Sequence, residues 1–369
     1  DFDYTRGSSA TRINAQGLIE SVPNTSSRLN YPLLDGKVVG CPHHLLEPQR
    51  TNLIIYSEDF SQYSDVSGAD IFANTTISPD GTLNASRVSF GGSEFSRIFI
   101  NTSTSSNTYT FTLYAKSDTS KKFRFRISDT SGTQYSEDFV TTSEWQRFSY
   151  EFIGDPSTCA ICNSSDANSG SIDIYGFQLE QGSYPTSYIK SNIGSATTRL
   201  GEAASGSGSA ATFNDSEGCL MAEISALADD GTYRQLGITN FPSYNYQVNI
   251  SLENNSNQLA GVIFSNNVYY VLNYEVQDTK TNNKVALKYK VNDLSFYVNG
   301  FKVNAITTAA LSTGLDVLKF NVGNNLNRFY GKVKQVQYFD SALTDTQLEE
   351  LTSWDSFSDM ANGQLYTIE

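Results

Sequence analysis

The most reactive side chains in this chain are few and grouped. The two histidines, His43 and His44, are adjacent. The four cysteines are Cys41, Cys159, Cys162 and Cys219. Cys159-Ala-Ile-Cys162 has the spacing of half a zinc site or of a redox pair, and Cys41 with His43 would complete a three-cysteine, one-histidine zinc shell. A local disulfide, or two unpaired thiols in a loop, explains the same spacing. A Ser-His-Asp triad or a multi-histidine metal centre would have to use this one histidine pair.

A second set of side chains has the chemistry to hold a sugar. Several short segments between residues 108 and 182 alternate apolar and polar residues, so that one side of each is buried and the other wet. If these strands share a sheet, the wet face carries Tyr114, Lys116, Arg124, Arg126, Gln178 and Glu180. An aromatic ring packs against the apolar side of a pyranose, and guanidinium, amide and carboxylate groups bind vicinal hydroxyls. The alternative is a solvated or oligomer-facing sheet with weak ion pairs.

Four arginines are spread through a polar N-terminal stretch, at Arg6, Arg12, Arg28 and Arg50. Residues 1–55 have too few apolar side chains to form a core, so this arm must lie along something else. Its arginines are predicted to pair with carboxylates of a partner at an assembly joint, with solvated arginines as the alternative.

The charge of the whole chain excludes some partners. The sequence has 369 residues, with 25 Lys plus Arg against 39 Asp plus Glu, for a net charge of −14. Such a field repels nucleic-acid phosphates and anionic membranes, whereas a neutral polysaccharide meets no barrier. The acidity is also explained by solubility alone.

The elements that position these residues are predicted to be strands. Ser, Thr, Asn and Gly are abundant and the aromatic residues numerous, which favours short strands joined by polar turns. A Gly- and Ser-rich stretch, residues 201–212, is a predicted flexible linker. The fold class is therefore all-β: two antiparallel β-sandwich (jelly-roll) domains in tandem, at residues 56–200 and 213–353, preceded by an irregular N-terminal arm and followed by a tail, residues 354–369. One short helix is expected after Thr344, where Thr344-Asp-Thr-Gln347 is a capping box.

Several stretches resemble tailed-phage and prophage virion structural proteins, of the head-fibre, decoration or tail-fibre type. They are Tyr4–Arg12, the Cys-Pro-His-His-Leu-Leu-Glu-Pro-Gln-Arg-Thr-Asn-Leu string at 41–53, Tyr56–Phe60, and Gly176–Gly182 followed by Thr186–Ile189. Residues of about 56 to 190 resemble a carbohydrate-binding-module jelly roll. The C-terminal half, with Lys284–Lys290, Phe296–Gly300 and Leu343–Thr352, is similar to laminin-G-like (concanavalin A-like) domains of phage fibres.

This resemblance implies a place on the virion surface and contact with host-surface polysaccharide. It also implies a homo-oligomer, a trimer above all, and contacts with other virion proteins through the arm. It implies no catalytic residue set, no nucleic acid and no membrane. No cofactor is required, although a structural calcium ion at a sandwich rim is expected in lectin-like folds. Two alternatives stay open: a purely structural decoration or assembly subunit without glycan binding, and a polysaccharide-degrading enzyme.

Overall fold

Almost the whole chain is β-structure, organised as two sandwiches. The computed structural model describes residues 2–191, 194–322 and 327–354, together with the single positions 356, 358 and 360. The predicted all-β class with antiparallel sandwiches is confirmed. The predicted C-terminal tail lies almost entirely outside the described residues.

The first sandwich packs two antiparallel sheets face to face. One sheet runs, in spatial order, through Asp70–Thr76, Ala85–Phe90, Gly170–Gln181, Asn107–Lys116 and Gln146–Gly154. The other runs through Gly132–Tyr135, Lys122–Asp129, Thr158–Asn163, Arg97–Asn101 and Ser64–Val66, with Phe139–Val140 also paired to the second of these. A short 3₁₀ turn, Phe60–Gln62, precedes them.

Alternation in the strands builds the core of this sandwich, as the sequence predicts. Phe111, which packs on Phe177 of its own sheet, meets Phe125 of the other sheet, and the centroids of the Phe111 and Phe125 rings are 5.1 Å apart. All three side chains are fully buried. The residues between them along each strand therefore point away from the core.

The second sandwich has the same plan. One sheet runs through Phe301–Ile306, Leu294–Val298, Asn283–Lys290, Glu217–Ala226, Gly331–Phe339, His43–Leu46 and Leu29–Asn30. The other runs through Val268–Glu275, Gln258–Ser265, Gln247–Leu252, Arg234–Thr239, Asn327–Arg328 and Asn321–Val322, and Val317–Lys319 also pairs with Arg234–Thr239. All of these pairings are antiparallel except the one between Gln235 and Arg328.

The N-terminal stretch is not the separate irregular arm that its composition predicts. His43–Leu46 pairs with Gly331–Phe339, and Leu29–Asn30 pairs with His43–Leu46, so both extend a sheet of the second sandwich. Short hairpins and pairs account for much of the rest: Asp3–Thr5 with Ala203–Ser205, Ala10–Ile13 with Ile19–Val22, Leu33–Leu34 with Lys37–Val38, and Arg50–Asn52 with Thr197–Arg199. The strands of the N-terminal stretch therefore pair with one another or with strands from later in the same chain.

The predicted flexible linker is also partly ordered. Ala203–Ser205 is a strand paired with the N-terminus, and Glu202 and Ala204 are buried. Because its backbone and one carboxylate are engaged, this part of residues 201–212 joins the two sandwiches as a bonded segment, and composition alone was misleading there.

One α-helix, Asp345–Thr352, begins at the predicted capping box, in which the Thr344 hydroxyl accepts from the Gln347 amide. Leu348 is buried against the outer side of the second sandwich. No helix among the described residues is long and apolar enough to span a membrane.

Candidate functional site

A partly buried cluster of arginines and aromatic rings lies on the outer side of the first sandwich. Lys122–Asp129 buries Phe123, Phe125 and Ile127, which leaves Arg124 and Arg126 pointing outward. Arg97 and Phe99 point the same way from Arg97–Asn101, and Tyr135 from Gly132–Tyr135. We call this set the arginine face: Arg97, Phe99, Arg124, Arg126 and Tyr135.

Strand register brings these side chains together. Cys162 lies directly opposite both Arg97 and Arg124, and Ala160 lies opposite both Phe99 and Arg126. Cys162 and Ala160 are small and fully buried, so they form the floor between two rows of larger side chains. Burial raises the pKa of the Cys162 thiol to about 11, while the charges of all three arginines act in the opposite direction. The register therefore places the three arginines around the same two floor residues.

The guanidinium groups are held by aromatic rings more than by acceptors. The guanidinium carbon of Arg124 lies 4.3 Å from the centroid of the Tyr135 ring, and those of Arg126 and Arg97 lie 6.0 Å and 5.9 Å from the Tyr135 and Phe99 rings. Such cation–π contacts attract the guanidinium to the face of the ring without using its N–H donors as hydrogen bonds.

Few protein acceptors form hydrogen bonds with these guanidinium groups. Arg97 donates to the Phe95 carbonyl at 3.1 Å, Arg124 to Glu94 at 3.0 Å and Arg126 to the Thr133 hydroxyl at 3.3 Å. A guanidinium carries five N–H donors, so most of the donors on this face have no acceptor among the described residues. The face can therefore bind a ligand rich in oxygen.

Of the predicted sugar-binding residues, only Arg124 and Arg126 belong to this face. Tyr114 and Lys116 lie on Asn107–Lys116, which is in the opposite sheet, so the assumption of one shared sheet was wrong. Tyr114 is buried with Tyr175 and Tyr188, and Lys116 lies over the ring of Trp145, with its Nζ 5.2 Å from the centroid.

Gln178 and Glu180 point away from the core as predicted, but both are fully buried. The segment 183–191 folds back over them: Thr186 donates its amide to Glu180 at 2.8 Å, and the Ile189 amide donates to Gln178 at 2.6 Å. Gly176 adopts φ +67°, and the Tyr188 ring lies 3.0 Å from where a Cβ would stand, so glycine lets this covering segment approach. Neither residue can contact a ligand from solution.

The arm arginines are also placed differently from the prediction. Arg6 and Arg28 are buried with Arg199, Glu47 and Glu202, a group we call the junction cluster. Because their carboxylates come from the same chain, the prediction that Arg6 and Arg28 pair with another virion protein was wrong. Arg12 pairs with Glu20 on the surface, and Arg50 lies 3.8 Å from Glu180.

The junction cluster is densely bonded. Glu202 accepts from Arg6 at 2.5 Å and from Arg28 at 2.8 Å, and Glu47 accepts from Arg28 at 2.8 Å and also from Arg199. Burial alone would raise the pKa of Glu47. The charges of Arg199 and Arg28, with hydrogen bonds from Ser187, instead lower it to about 2. The hydrogen bonds of the two carboxylates tie the arm and linker to the end of the first sandwich.

The four zinc candidates do not form one site. Cys159 points into the core of the first sandwich and Cys162 to its outer side, His43 is buried in a strand of the second sandwich, and Cys41 is exposed. All four cysteines are unpaired, so the spacing reflects two strand residues that point to opposite faces. Among the residues that the structure describes, no three His, Cys, Asp or Glu side chains are grouped for a metal ion.

Sequence reasoning missed Arg97, Phe99 and Tyr135. Arg97-Ile-Phe-Ile100 alternates in the same way as the strands that were recognised, and this pattern could have identified the first two. Tyr135 lies in a four-residue strand with no buried position, which leaves no alternating signal.

The second sandwich has an open cleft of about 610 Å³ at one edge. It is lined by Tyr274, Glu275, Asn283, Asn299 and Phe301 among others. Phe301 and Tyr274 are exposed, so the cleft offers rings beside carboxylates and amides and lacks the convergent cations of the arginine face.

No protein-family model and no curated protein matches the chain. Solved structures do. The CBM40 of Ruminococcus gnavus IT-sialidase bound to α2,3-sialyllactose is 16% identical with a TM-score of 0.33, over 38% of this chain and 84% of that one. A tailspike protein of an Escherichia coli O157:H7 bacteriophage is 11% identical with a TM-score of 0.32, over 41% and 23%. Mouse laminin α1 domains LG4-5 are 11% identical with a TM-score of 0.27, over 76% and 94%. Overlaps of this size carry no argument, so the architecture rests on the sheets described above.

Proposed function

We propose that this protein is a surface component of a tailed-phage virion that binds carbohydrate on the host cell, and that the arginine face makes the contact. The sequence motifs that resemble virion structural proteins support the first half of this proposal. The second half depends on one observation: three outward arginines and two aromatic rings share a partly exposed face over a floor of small residues.

The chemistry of this face suits a pyranose. The apolar C–H side of the ring packs on Tyr135 or Phe99, and adjacent ring oxygens accept pairs of N–H bonds from a guanidinium. A shallow sheet face with few anchors binds weakly. Repeated copies on one particle raise the overall avidity by orders of magnitude, which is sufficient for adsorption.

The test is retention of the full chain on polysaccharide isolated from the host surface. Replacing Arg97, Arg124 and Arg126 together by Ala is expected to abolish retention. Arg87→Ala is the matched control, because Arg87 lies on the opposite sheet and is paired with Asp173 at 2.8 Å. Retention of the triple variant would move the site elsewhere, for example to the cleft at Phe301. No retention of the unmodified chain would favour the purely structural subunit, and release of reducing ends would favour the enzyme.

A further inference from the structure

The arginine face also indicates which sugars it takes. Resting on the proposed function, we infer that its ligand is an anionic glycan whose sugars carry carboxylates, and that neutral polysaccharide is the poorer ligand. This reverses the expectation from net charge, because the local arrangement of charges opposes the overall one.

The charges on the face do not balance. Strand register places Arg97 and Arg124 opposite Cys162 and Arg126 opposite Ala160, and the one carboxylate that pairs with these arginines among the described residues is Glu94. The Glu94 side chain is 43% exposed, so it lies at the rim and neutralises Arg124 alone. Arg97 and Arg126 are left beside each other without an anion, and burial together with the charge of Arg126 lowers the pKa of Arg97. A ligand carboxylate would relieve this repulsion, whereas a hydroxyl would not.

The net charge of −14 does not prevent such binding. At physiological ionic strength, charges are screened beyond a Debye length of about 8 Å. A carboxylate held on the arginine face lies well within that distance of three cations, while most of the acidic residues are farther away. The overall charge then slows the approach of a polyanion but does not determine what the face holds.

The dimensions of the face fit one sugar residue. Arg97 and Arg124 lie on the two strands either side of the Cys162 strand, so two strand spacings of nearly 5 Å put their Cα atoms about 10 Å apart. A carboxylate between the rows can accept from two guanidinium groups, and charge-assisted bonds of this kind are about twice as strong as neutral ones. The Tyr135 ring, already packed on Arg124, bounds the same space.

The experiment is calorimetric titration of the full chain with oligogalacturonate and hyaluronan oligosaccharides, each before and after chemical reduction of its carboxylates to alcohols. At least one native uronate is expected to bind, with its reduced form at least tenfold weaker. Arg97→Ala and Arg126→Ala are each expected to weaken binding about tenfold, and Arg87→Ala by less than twofold. Glu94→Gln is expected to strengthen binding two- to threefold, a gain that a misfolded variant cannot produce.

Other outcomes overturn the inference in distinguishable ways. Equal affinity for native and reduced sugars, still lost in Arg126→Ala, would retain carbohydrate binding and reject the carboxylate. Failure of both uronates to bind would reject the carboxylate, and retention on host polysaccharide would then decide whether the proposed function survives. Binding of dextran sulfate or single-stranded DNA as tight as that of the uronates would show a general polyanion surface.

Discussion

The arginine face and the junction cluster each hold three arginines, and the two sets differ in how deeply they are buried and in which acceptors they meet. In the junction cluster, two buried glutamates accept from Arg6, Arg28 and Arg199, and backbone carbonyls take much of what remains. On the arginine face, Arg97, Arg124 and Arg126 meet one rim carboxylate and two rings. The donors of the junction arginines are used within the fold, whereas most donors of the arginine face have no acceptor among the described residues.

This difference shows why residue type is a poor guide to function in this chain. A buried guanidinium without a carboxylate is costly, so Arg6 and Arg28 are tolerated only because Glu47 and Glu202 reach them. The arginines of the arginine face are only partly buried, so their guanidinium groups keep part of their hydration and can bind an external anion. Pairing within the chain, more than charge or position in sequence, separates the structural arginines from the binding ones.

The largest expected effect is on stability, at the junction cluster. Glu202→Gln removes the anion shared by Arg6 and Arg28 and leaves two buried cations undercompensated, which should cost about 3–5 kcal/mol of unfolding free energy. Chemical denaturation measures this loss. Glu94→Gln, which removes the exposed partner of Arg124, is the matched control and should cost less than about 1 kcal/mol. Equal losses in the two variants would erase the distinction between the clusters.

The next effect is on the pH dependence of stability. The pKa of Glu47 is lowered from its usual 4.5 to about 2 in the folded protein, so its contribution is fully present above about pH 5 and is lost as the pH falls toward 2. Thermal melts between pH 7 and pH 2 should show a steep fall in this window. In Glu47→Gln the melting temperature should be lower at pH 7 and should fall less between pH 5 and pH 2. An equally steep fall in both proteins would assign the acid sensitivity to other carboxylates.

A smaller effect is expected on affinity at the arginine face, where single substitutions should not disturb the fold. Arg126→Ala should weaken uronate binding by about 1.4 kcal/mol, which is tenfold, while its unfolding free energy stays within about 0.5 kcal/mol of the unmodified chain. Calorimetry and denaturation on the same samples check both numbers. A large stability loss without a binding loss would make Arg126 a second structural arginine.

Added salt is expected to weaken ligand binding at the arginine face more than it lowers the stability that the junction cluster provides. Raising NaCl from 0.05 to 0.5 M shortens the Debye length from about 14 to about 4 Å and should weaken uronate binding severalfold. The buried pairs of the junction cluster are screened far less, so the melting temperature should change little. Salt-insensitive binding would indicate that stacking on Tyr135 dominates.

The smallest expected effect is on the reactivity of the Cys162 thiol, which lies beneath the side chains of the arginine face. Cys41 is exposed, whereas Cys159, Cys162 and Cys219 are buried and burial raises their pKa values to about 12, 11 and 11. One thiol should therefore react with a disulfide reagent at pH 8 in the native protein. Arg124→Ala, which removes the side chain directly opposite Cys162, should slowly expose a second, identified by mass spectrometry as Cys162. Labelling of Cys159 in its place would show that the whole sandwich has opened.

Alternation along strands was enough to predict the fold class and the inward residues, because Phe111, Phe125 and Phe177 lie on one side of their strands by geometry. It also correctly placed Arg124 and Gln178 on outer sides. It could not reveal that the segment 183–191 covers Gln178 completely while the Arg124 side chain stays 12% exposed, since covering is a long-range contact. Which sheet a strand joins also depends on long-range pairing, which is why the six predicted residues are divided between two faces.

The route of the chain through the second sandwich has a consequence for how the protein is made. Its sheet takes His43–Leu46 from near the start of the chain and pairs it with Gly331–Phe339 near the end. During synthesis on the ribosome, the early segment must wait unpaired while the entire first sandwich is translated and folds. The two sandwiches therefore cannot be separated by cutting between them, and a clone of residues 213–353 alone would present a bare sheet edge prone to aggregation.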